Sequence, residues 1–145
     1  MKPEETIDFH IKYTWQNIAR MYNDLASGYG STMAMGYVLL NIDIENGTPS
    51  TALGPKMGME ATSLSRILKN MEAKDLICRK KNPADGRSVL VFLTDFGKEK
   101  REDAKKAVID FNEAVFSQIP EQKLAIFFEV IQKVNELISN RKIYS

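Results

Sequence analysis

The stretch Asn82–Gly97, NPADGRSVLVFLTDFG, decides how the fold of this chain is read. Its first five residues, Asn82–Gly86, have turn chemistry, because proline fixes φ while asparagine, aspartate and glycine accept tight backbone geometry. Ser88–Leu93 is rich in apolar and β-branched residues, and so is Leu76–Lys80 before the turn. The stretch therefore predicts a β-hairpin with Arg87 at its tip.

A charged hairpin tip is compatible with three roles: a phosphate-binding loop of an enzyme, a solvated turn, or a probe that reaches into another molecule. A phosphate-binding loop needs a glycine-rich run with its lysine directly before a helix, and the stretch has no such run. The enzyme loop is therefore excluded, and the rest of the chain has to separate the other two roles.

A helix is predicted directly before the hairpin, in the segment Glu60–Leu76, EATSLSRILKNMEAKDL. Leu64, Ile67, Leu68 and Met71 recur at the spacing of one helix face. The opposite face has short hydroxyls near its start, long cations further along and no carboxylate: Thr62, Ser63, Arg66, Lys69 and Asn70.

Two helices are predicted at the start of the chain. From Ile7 onward, apolar residues recur at three- and four-residue steps until the helix breaker Ser27–Gly30. A second helix, capped by Ser31 or Thr32, is expected to close at Asn46-Gly47, where glycine suits a helix end.

The remaining helices flank the segment already described. A short third helix has Ser50 as its predicted cap, and Gly54-Pro55 within it predicts a late start or a distortion, because proline removes a helix hydrogen bond. After the hairpin, Thr94 is expected to cap a long helix over residues 95–117. Pro120 then suits the first position of a last helix.

Composition bounds the class of protein. The 145 residues suit a single domain, and no run of about 18 apolar residues could cross a membrane. The net charge of +1 is unevenly spread: residues 1–49 carry −3, residues 50–87 carry +4 and residues 88–145 carry 0. The positive excess lies in the segment of the hairpin and the helix before it, which favours a polyanionic partner.

Other side chains give little support for metal or redox chemistry. Cys78 is the only cysteine, and together with the only histidine it falls short of the four ligands of a structural zinc site. We expect no metal and no cofactor. The N-terminus is acidic and lacks the apolar run of a secretory signal, so we expect a cytoplasmic location.

The predicted order of helix, helix, short helix, tight turn, helix and hairpin is that of a winged helix-turn-helix. With this order, the segment from Ser50 to Glu99 resembles the DNA-binding core of the MarR family of bacterial transcriptional regulators. The resemblance rests on five groups of residues: Leu53–Gly58, Thr62–Arg66, Met71-Glu72 with Leu76-Ile77, Asp85–Arg87, and Leu93-Thr94 with Gly97. The segment departs from the family at Gly54-Pro55, and at Gly86, where many members carry a second arginine.

The resemblance implies a mainly α fold with a small β-hairpin wing. One domain is expected over residues 1–145, with a winged helix-turn-helix core at about 31–98. Helices at about 6–28 and 95–140 are implied to form a homodimer, which would set two recognition helices about one DNA turn apart on a pseudo-palindromic operator.

Double-stranded DNA is the partner that the resemblance implies, and the residue types suit it. Arginine bonds bidentately to guanine, so Arg66 is expected to read a base, while lysines hold phosphates. Arg87 is expected to enter a narrow minor groove, and Asp85 to hold the turn or to pair with Arg87 or a nearby basic residue. The full set comprises the recognition residues Thr62, Ser63, Ser65, Arg66 and Lys69, the phosphate contacts Ser50, Thr51 and Lys56, and the wing residues Lys81, Asp85, Gly86 and Arg87.

In the family, small aromatic or phenolic compounds or oxidants often release DNA, from a site between the dimer helices and the winged domain. An oxidation switch at an N-terminal cysteine is excluded here, because that region has no cysteine. For an aromatic effector the expected pocket residues are His10, Trp15, Tyr22, Tyr29 and Tyr37.

Three functions therefore compete. The leading hypothesis is a homodimeric DNA-binding transcriptional regulator, in this family most often a repressor. The first alternative is a winged-helix module that binds another protein and not DNA. An enzyme is the third, and no nucleophile paired with a base, metal cluster or pair of carboxylates supports it.

Overall fold

The structure, a computed structural model, describes residues 1–144. After a single 3-10 turn at Pro3–Glu5, the described residues form six α-helices and one antiparallel sheet of three strands. Their bounds are α1 Ile7–Ser27, α2 Met33–Asn41, β1 Thr48–Pro49, α3 Ser50–Met57, α4 Ala61–Ala73, β2 Ile77–Asn82, β3 Asp85–Leu93, α5 Asp95–Gln118 and α6 Glu121–Ser139. The predicted mainly α winged helix-turn-helix is confirmed.

The apolar face of α4 lies at the centre of the core. Leu64, Leu68 and Met71 are buried, as the helical periodicity predicts, and Ile67 packs partly buried beside them. They share one cluster with side chains of α2, α3 and both long strands, of which the most completely buried are Val38, Leu53, Ile77 and Val91. This packing holds α4 by one face and leaves its other face in solvent.

The helix-turn-helix itself consists of α3 and α4. Of the two expected effects of Gly54-Pro55, the late start is wrong, because α3 begins at Ser50 and continues through Pro55 to Met57. Gly54 is buried, and a Cβ there would lie 3.0 Å from the carbonyl oxygen of Met59, so the close approach of the turn requires glycine. Pro49, not Ser50, occupies the N-cap position, and Ser50 is the first residue of the helix.

The second helix is shorter than predicted. It ends at Asn41, and the backbone at Ile42 is extended, so Asn46-Gly47 closes a later turn rather than the helix. The carboxylate of Asp43 forms that turn by accepting hydrogen bonds from the N–H groups of Glu45 and Asn46 at 3.0 and 3.1 Å. The cap prediction is confirmed for Thr32, whose Oγ1 accepts from the N–H of Met35 at 3.2 Å.

The sheet has the order β1-β3-β2. The short strand β1, which sequence analysis missed, pairs Thr48 with Val91. The hairpin of β2 and β3 is confirmed, but its tip is misplaced in the prediction. Only Pro83-Ala84 connects the strands, so Arg87 lies within β3 and not at the tip.

The first turn of α5 is anchored to the corner between α4 and β2. The hydroxyl Oγ1 of Thr94 accepts from the N–H of Gly97 at 2.9 Å, the predicted cap, and donates to the carbonyl of Asp75 at 2.6 Å. The N–H of Thr94 donates to the carbonyl of Leu76 at 3.1 Å. At the other end, α6 begins at Glu121, with Pro120 as its N-cap residue rather than its first residue.

Replacing Thr94 with alanine is expected to lower the free energy of unfolding by about 1–2 kcal/mol, because both bonds of its hydroxyl are lost together with a helix cap. Urea titration followed by circular dichroism measures the change. Thr94→Ser keeps the hydroxyl and serves as control, so equal losses in the two variants would contradict the assignment.

Backbone contacts group the chain into two units, Met1–Lys106 and Ala107–Ser145, whose boundary falls inside α5. The prediction of one domain over residues 1–145 stays a prediction, and its last residue, Ser145, lies outside the described residues. In the second unit, α6 has no buried residue, and it exposes several large apolar side chains: Ile126, Phe127, Phe128, Val130 and Ile138. Among residues 1–144, no helix is long and apolar enough to span a membrane.

Candidate nucleic-acid interface

The outer face of α4 carries the predicted recognition residues. Thr62, Ser63, Ser65, Arg66 and Lys69 are all exposed, on the side of the helix opposite its buried leucines. Within the described part of the chain, the side chains of Arg66 and Lys69 are not engaged in an ion pair or hydrogen bond. Both cations therefore remain available to an external anion or base.

A salt bridge joins α4 to the first strand of the hairpin. Arg79 Nε lies 3.5 Å from the carboxylate of Glu72, near the C-terminal end of the helix. Since successive side chains of a strand alternate between faces, Ile77, Arg79 and Lys81 share one face of β2. Ile77 is buried in the core and Arg79 contacts α4, so the predicted wing residue Lys81 extends from the helix-facing side. Sequence analysis missed Arg79, although this alternation was visible.

The other face of the hairpin has a different cation. Lys80 Nζ lies 4.9 Å from the centroid of the Phe92 ring, a cation–π contact. Lys80 therefore stabilises the outer face of the sheet, whereas Lys81 on the opposite face is exposed.

Arg87 occupies an irregular part of β3. Lys81 pairs with Val89 but the next residue, Asn82, pairs with Asp85, so Gly86–Ser88 have no partners in the ladder. The carboxylate of Asp85 accepts from the N–H of Arg87 at 3.0 Å, which favours the first of its two predicted roles, holding the turn. Such a bulge re-aims the side chains it contains, and the side chain of Arg87 is exposed.

The tip is further fixed by Asn82 and Ser88. Asn82 Oδ1 accepts from the N–H of Ala84 at 3.0 Å, and its amide nitrogen donates to Ser88 Oγ at 3.0 Å. These bonds hold the connection between the strands in one conformation, so the arginine stands on a defined backbone.

The predicted phosphate contacts lie on α3. Ser50 and Thr51 form the start of this helix, where N–H groups have no partner within the helix, and Lys56 is exposed near its end. Hydrogen bonds from the N–H groups of Asn46 and Glu45 lower the pKa of Asp43, and Lys56 lowers it further.

Three of the five predicted pocket aromatics come together. The rings of Trp15 and Tyr37 are stacked with centroids 6.3 Å apart, and Tyr22 meets Tyr37 edge to face at 6.3 Å. The other two lie elsewhere. His10 packs edge to face against Phe9, with Nε2 2.6 Å from the carbonyl of Glu4, while Tyr29 is 63% exposed beside Lys100.

The two clustered tyrosines are expected to ionise late in an alkaline titration. Burial raises the pKa of Tyr22 and of Tyr37 above the ordinary value of 10.0, and for Tyr22 the neighbouring Tyr37 adds to the effect. The folded state prefers the neutral phenols, so this contribution to stability is complete below pH 10 and is lost as pH rises through the raised pKa values. Tyrosinate absorbance measures the titration; the late-ionising absorbance should shrink in Tyr22→Phe, and an undiminished amplitude in that variant would contradict the prediction.

Comparison with known proteins relates the helix-turn-helix and wing of this chain to a protein family. The family model of the MarR family matches residues 32–89, which include α3, α4 and most of the wing. The helix-turn-helix and wing of this chain are therefore those of the MarR family. It is 28% identical over 88 residues to the HTH-type transcriptional regulator YdgJ of Bacillus subtilis (strain 168), an alignment of 61% of this chain and 54% of YdgJ.

Two solved structures share the MarR fold. S. aureus MepR in its complex with DNA has a TM-score of 0.83 and 17% identity, over 90% of this chain and 97% of that one. CouR from Rhodococcus jostii RHA1, bound to p-coumaroyl-CoA, has a TM-score of 0.80 and 20% identity. The match covers 92% of this chain and 94% of CouR. At these identities the likeness is one of fold.

Proposed function

We propose that this protein is a homodimeric transcriptional regulator of the MarR family, which binds a pseudo-palindromic DNA operator and represses transcription from it. The observation that carries the proposal is the outer face of α4, where hydroxyls and two cations are exposed without a carboxylate among them. The major groove of B-form DNA admits one helix, and base edges there are read by side chains of this kind.

Residues around α4 suit the phosphate backbone. The free N–H groups at the start of α3, near Ser50 and Thr51, favour an anion, and Lys56 and Lys69 are exposed cations. Lys81 extends this positive surface along the hairpin. We assign these residues to phosphates, which fix register without reading sequence.

The wing is proposed to enter the minor groove next to the site of α4. Narrow A·T-rich minor grooves concentrate negative potential and attract arginine. Arg87 supplies that arginine, with Asp85 and Gly86 shaping the bulge that presents it. The salt bridge between Glu72 and Arg79 supports a fixed relation between wing and helix.

Homodimerisation is supported by apolar surface that the single chain does not cover. Along α1, Ile7, Ile11, Trp15 and Leu25 are exposed, and α6 has its own exposed apolar residues. Leaving so much apolar area in water is costly, and a second copy would bury it. Two half-sites also give the selectivity that one winged helix lacks.

An aromatic effector is proposed to bind at Trp15, Tyr22 and Tyr37, the three predicted aromatics that meet. Ligand binding by a protein of the same fold, CouR with p-coumaroyl-CoA, supports the idea. We also propose that the regulator acts in the cytoplasm and has no enzymatic activity.

The test is DNA binding at rising salt. Fragments of the source genome are selected by the purified protein, and the affinity for the best duplex is then measured at several salt concentrations. Each phosphate neutralised should contribute about −0.9 to the slope of log affinity against log salt. An affinity that does not depend on salt, or no selected fragment at all, would favour the protein-binding alternative.

Arg87→Ala is expected to weaken binding about tenfold at operators with A·T-rich flanks and less at G·C-rich flanks, because the narrow groove supplies the potential that attracts arginine. Fluorescence anisotropy with two duplexes that differ only in their flanks measures both affinities. Lys80→Ala, on the outer face of the hairpin, is the control and should not distinguish the flanks. If Arg87→Ala loses the same affinity for both duplexes, the proposed placement of Arg87 in the minor groove is wrong.

A further inference from the structure

The loop that joins α1 to α2, residues 28–32, is held by two lysines from distant parts of the chain. Lys74 Nζ donates to the carbonyl of Gly30 at 2.7 Å, across 44 residues of sequence. Lys100 Nζ lies 5.7 Å from the ring centroid of Tyr29 and 5.5 Å from that of Phe96. The loop after α1 is therefore bonded to the C-cap residue of α4.

The backbone at Lys74 is itself rigidly held. Lys74 is the C-cap residue of α4, and its N–H bonds to the carbonyl of Asn70 at 3.0 Å. The next residue, Asp75, has a positive φ of 60°, and its carbonyl accepts from the Thr94 hydroxyl. Because the main chain is fixed on both sides, the side chain of Lys74 transmits the position of this helix end to the loop.

The relation between α1 and α4 has a consequence in the proposed dimer. If α1 lies in the dimer interface, the distance between the two recognition helices depends on how each α4 is held relative to its own α1. A dimer that reads two half-sites one helical turn apart must keep that distance constant.

We propose that Lys74 is a positioning residue that fixes the half-site spacing accepted by the dimer. It acts by bonding the end of α4 to the loop after α1, and not by touching DNA. The inference rests on the proposed function, because spacing has meaning only for a DNA-bound dimer. Loss of the bond lets the end of α4 pivot, so operators with altered spacing are accepted more readily.

The experiment compares full-length variants on a series of operators. One operator has the best spacing between its half-sites, and in the others this spacing is lengthened or shortened by about one or two base pairs. Lys74→Met removes the hydrogen bond, Lys74→Arg keeps a cationic donor, and Lys98→Met removes an equal charge from an exposed position on α5. Urea unfolding of each variant checks that the fold is kept.

For Lys74→Met, we expect the ratio of affinities between the best and the altered spacings to fall by at least about threefold, with affinity at the best spacing nearly unchanged. The affinity ratios of Lys74→Arg and of Lys98→Met should both equal that of the parent. An unchanged ratio in Lys74→Met overturns the inference, and so does an equal loss at every spacing with a smaller salt slope, since that is the signature of a phosphate contact. Absence of salt-dependent binding by the parent overturns the proposed function and this inference with it.

Discussion

Arg66→Ala is expected to weaken operator binding by about 1–3 kcal/mol, roughly 5-fold to 150-fold, and to relax base preference at one position of each half-site. Arg66 projects from the exposed face of α4, and its side chain has no partner among the described residues that would compete with a base. Because the change removes no buried atom, the free energy of unfolding should stay within about 0.5 kcal/mol of the parent value.

A matched comparison separates base reading from phosphate binding. Lys69→Ala removes a cation from the same face of the same helix, and it should weaken binding equally for all sequences while reducing the salt slope by about one. The measurement is a set of affinities for duplexes with each base pair substituted in turn. If Arg66→Ala behaves like Lys69→Ala, then Arg66 holds a phosphate and our assignment of base reading is wrong.

Gly97→Ala is expected to destabilise the fold by about 3 kcal/mol, the largest stability effect that we predict. A Cβ at this position would overlap the carbonyl oxygen of Leu76 and lie 3.0 Å from its carbonyl carbon. Both are backbone atoms, so relief requires α5 to move away from β2. The movement would also strain the hydrogen bonds from Thr94 to the carbonyls of Asp75 and Leu76.

Gly36→Ala provides the matched control within α2. A Cβ there would meet Ala104 Cβ at 3.7 Å, an ordinary van der Waals contact. Since alanine is the better helix former, this variant should be more stable by about 0.5–1 kcal/mol. Urea midpoints of the two variants should move in opposite directions. If the urea midpoint of Gly97→Ala equals that of the parent, the backbone at Leu76 accommodates the added Cβ without cost and the prediction is wrong.

The core and the outer face of α4 could be predicted from the sequence, because both follow from one local period. An apolar residue at every third or fourth position fixes which face is buried, whatever the partner is. Leu64, Leu68 and Met71 are buried, and Arg66 with its neighbours is exposed. The Thr94 cap is local in the same way, since its acceptor and donor are three residues apart.

The end of α2, the strand β1 and the place of Arg87 could not be predicted in this way. Thr48–Pro49 is a strand only because β3 offers it a partner more than 40 residues away. Pro83 and Gly86 both favour a turn, and only the pairing of β2 with β3 decides which of them forms the tip. The sequence could not show that His10 and Tyr29 lie apart from the other three expected pocket aromatics, because spacing along a helix does not say which rings meet across elements.

The sequence by itself determined the presence of the helices, the buried face of α4 and the cationic segment, since each depends on neighbours within one or two helical turns. Tertiary structure alone decided that Arg79 bonds to Glu72, that Lys74 reaches Gly30 and that Gly97 lies against Leu76. Such contacts depend on where whole elements pack, and that is set by the summed burial of the core rather than by any local pattern.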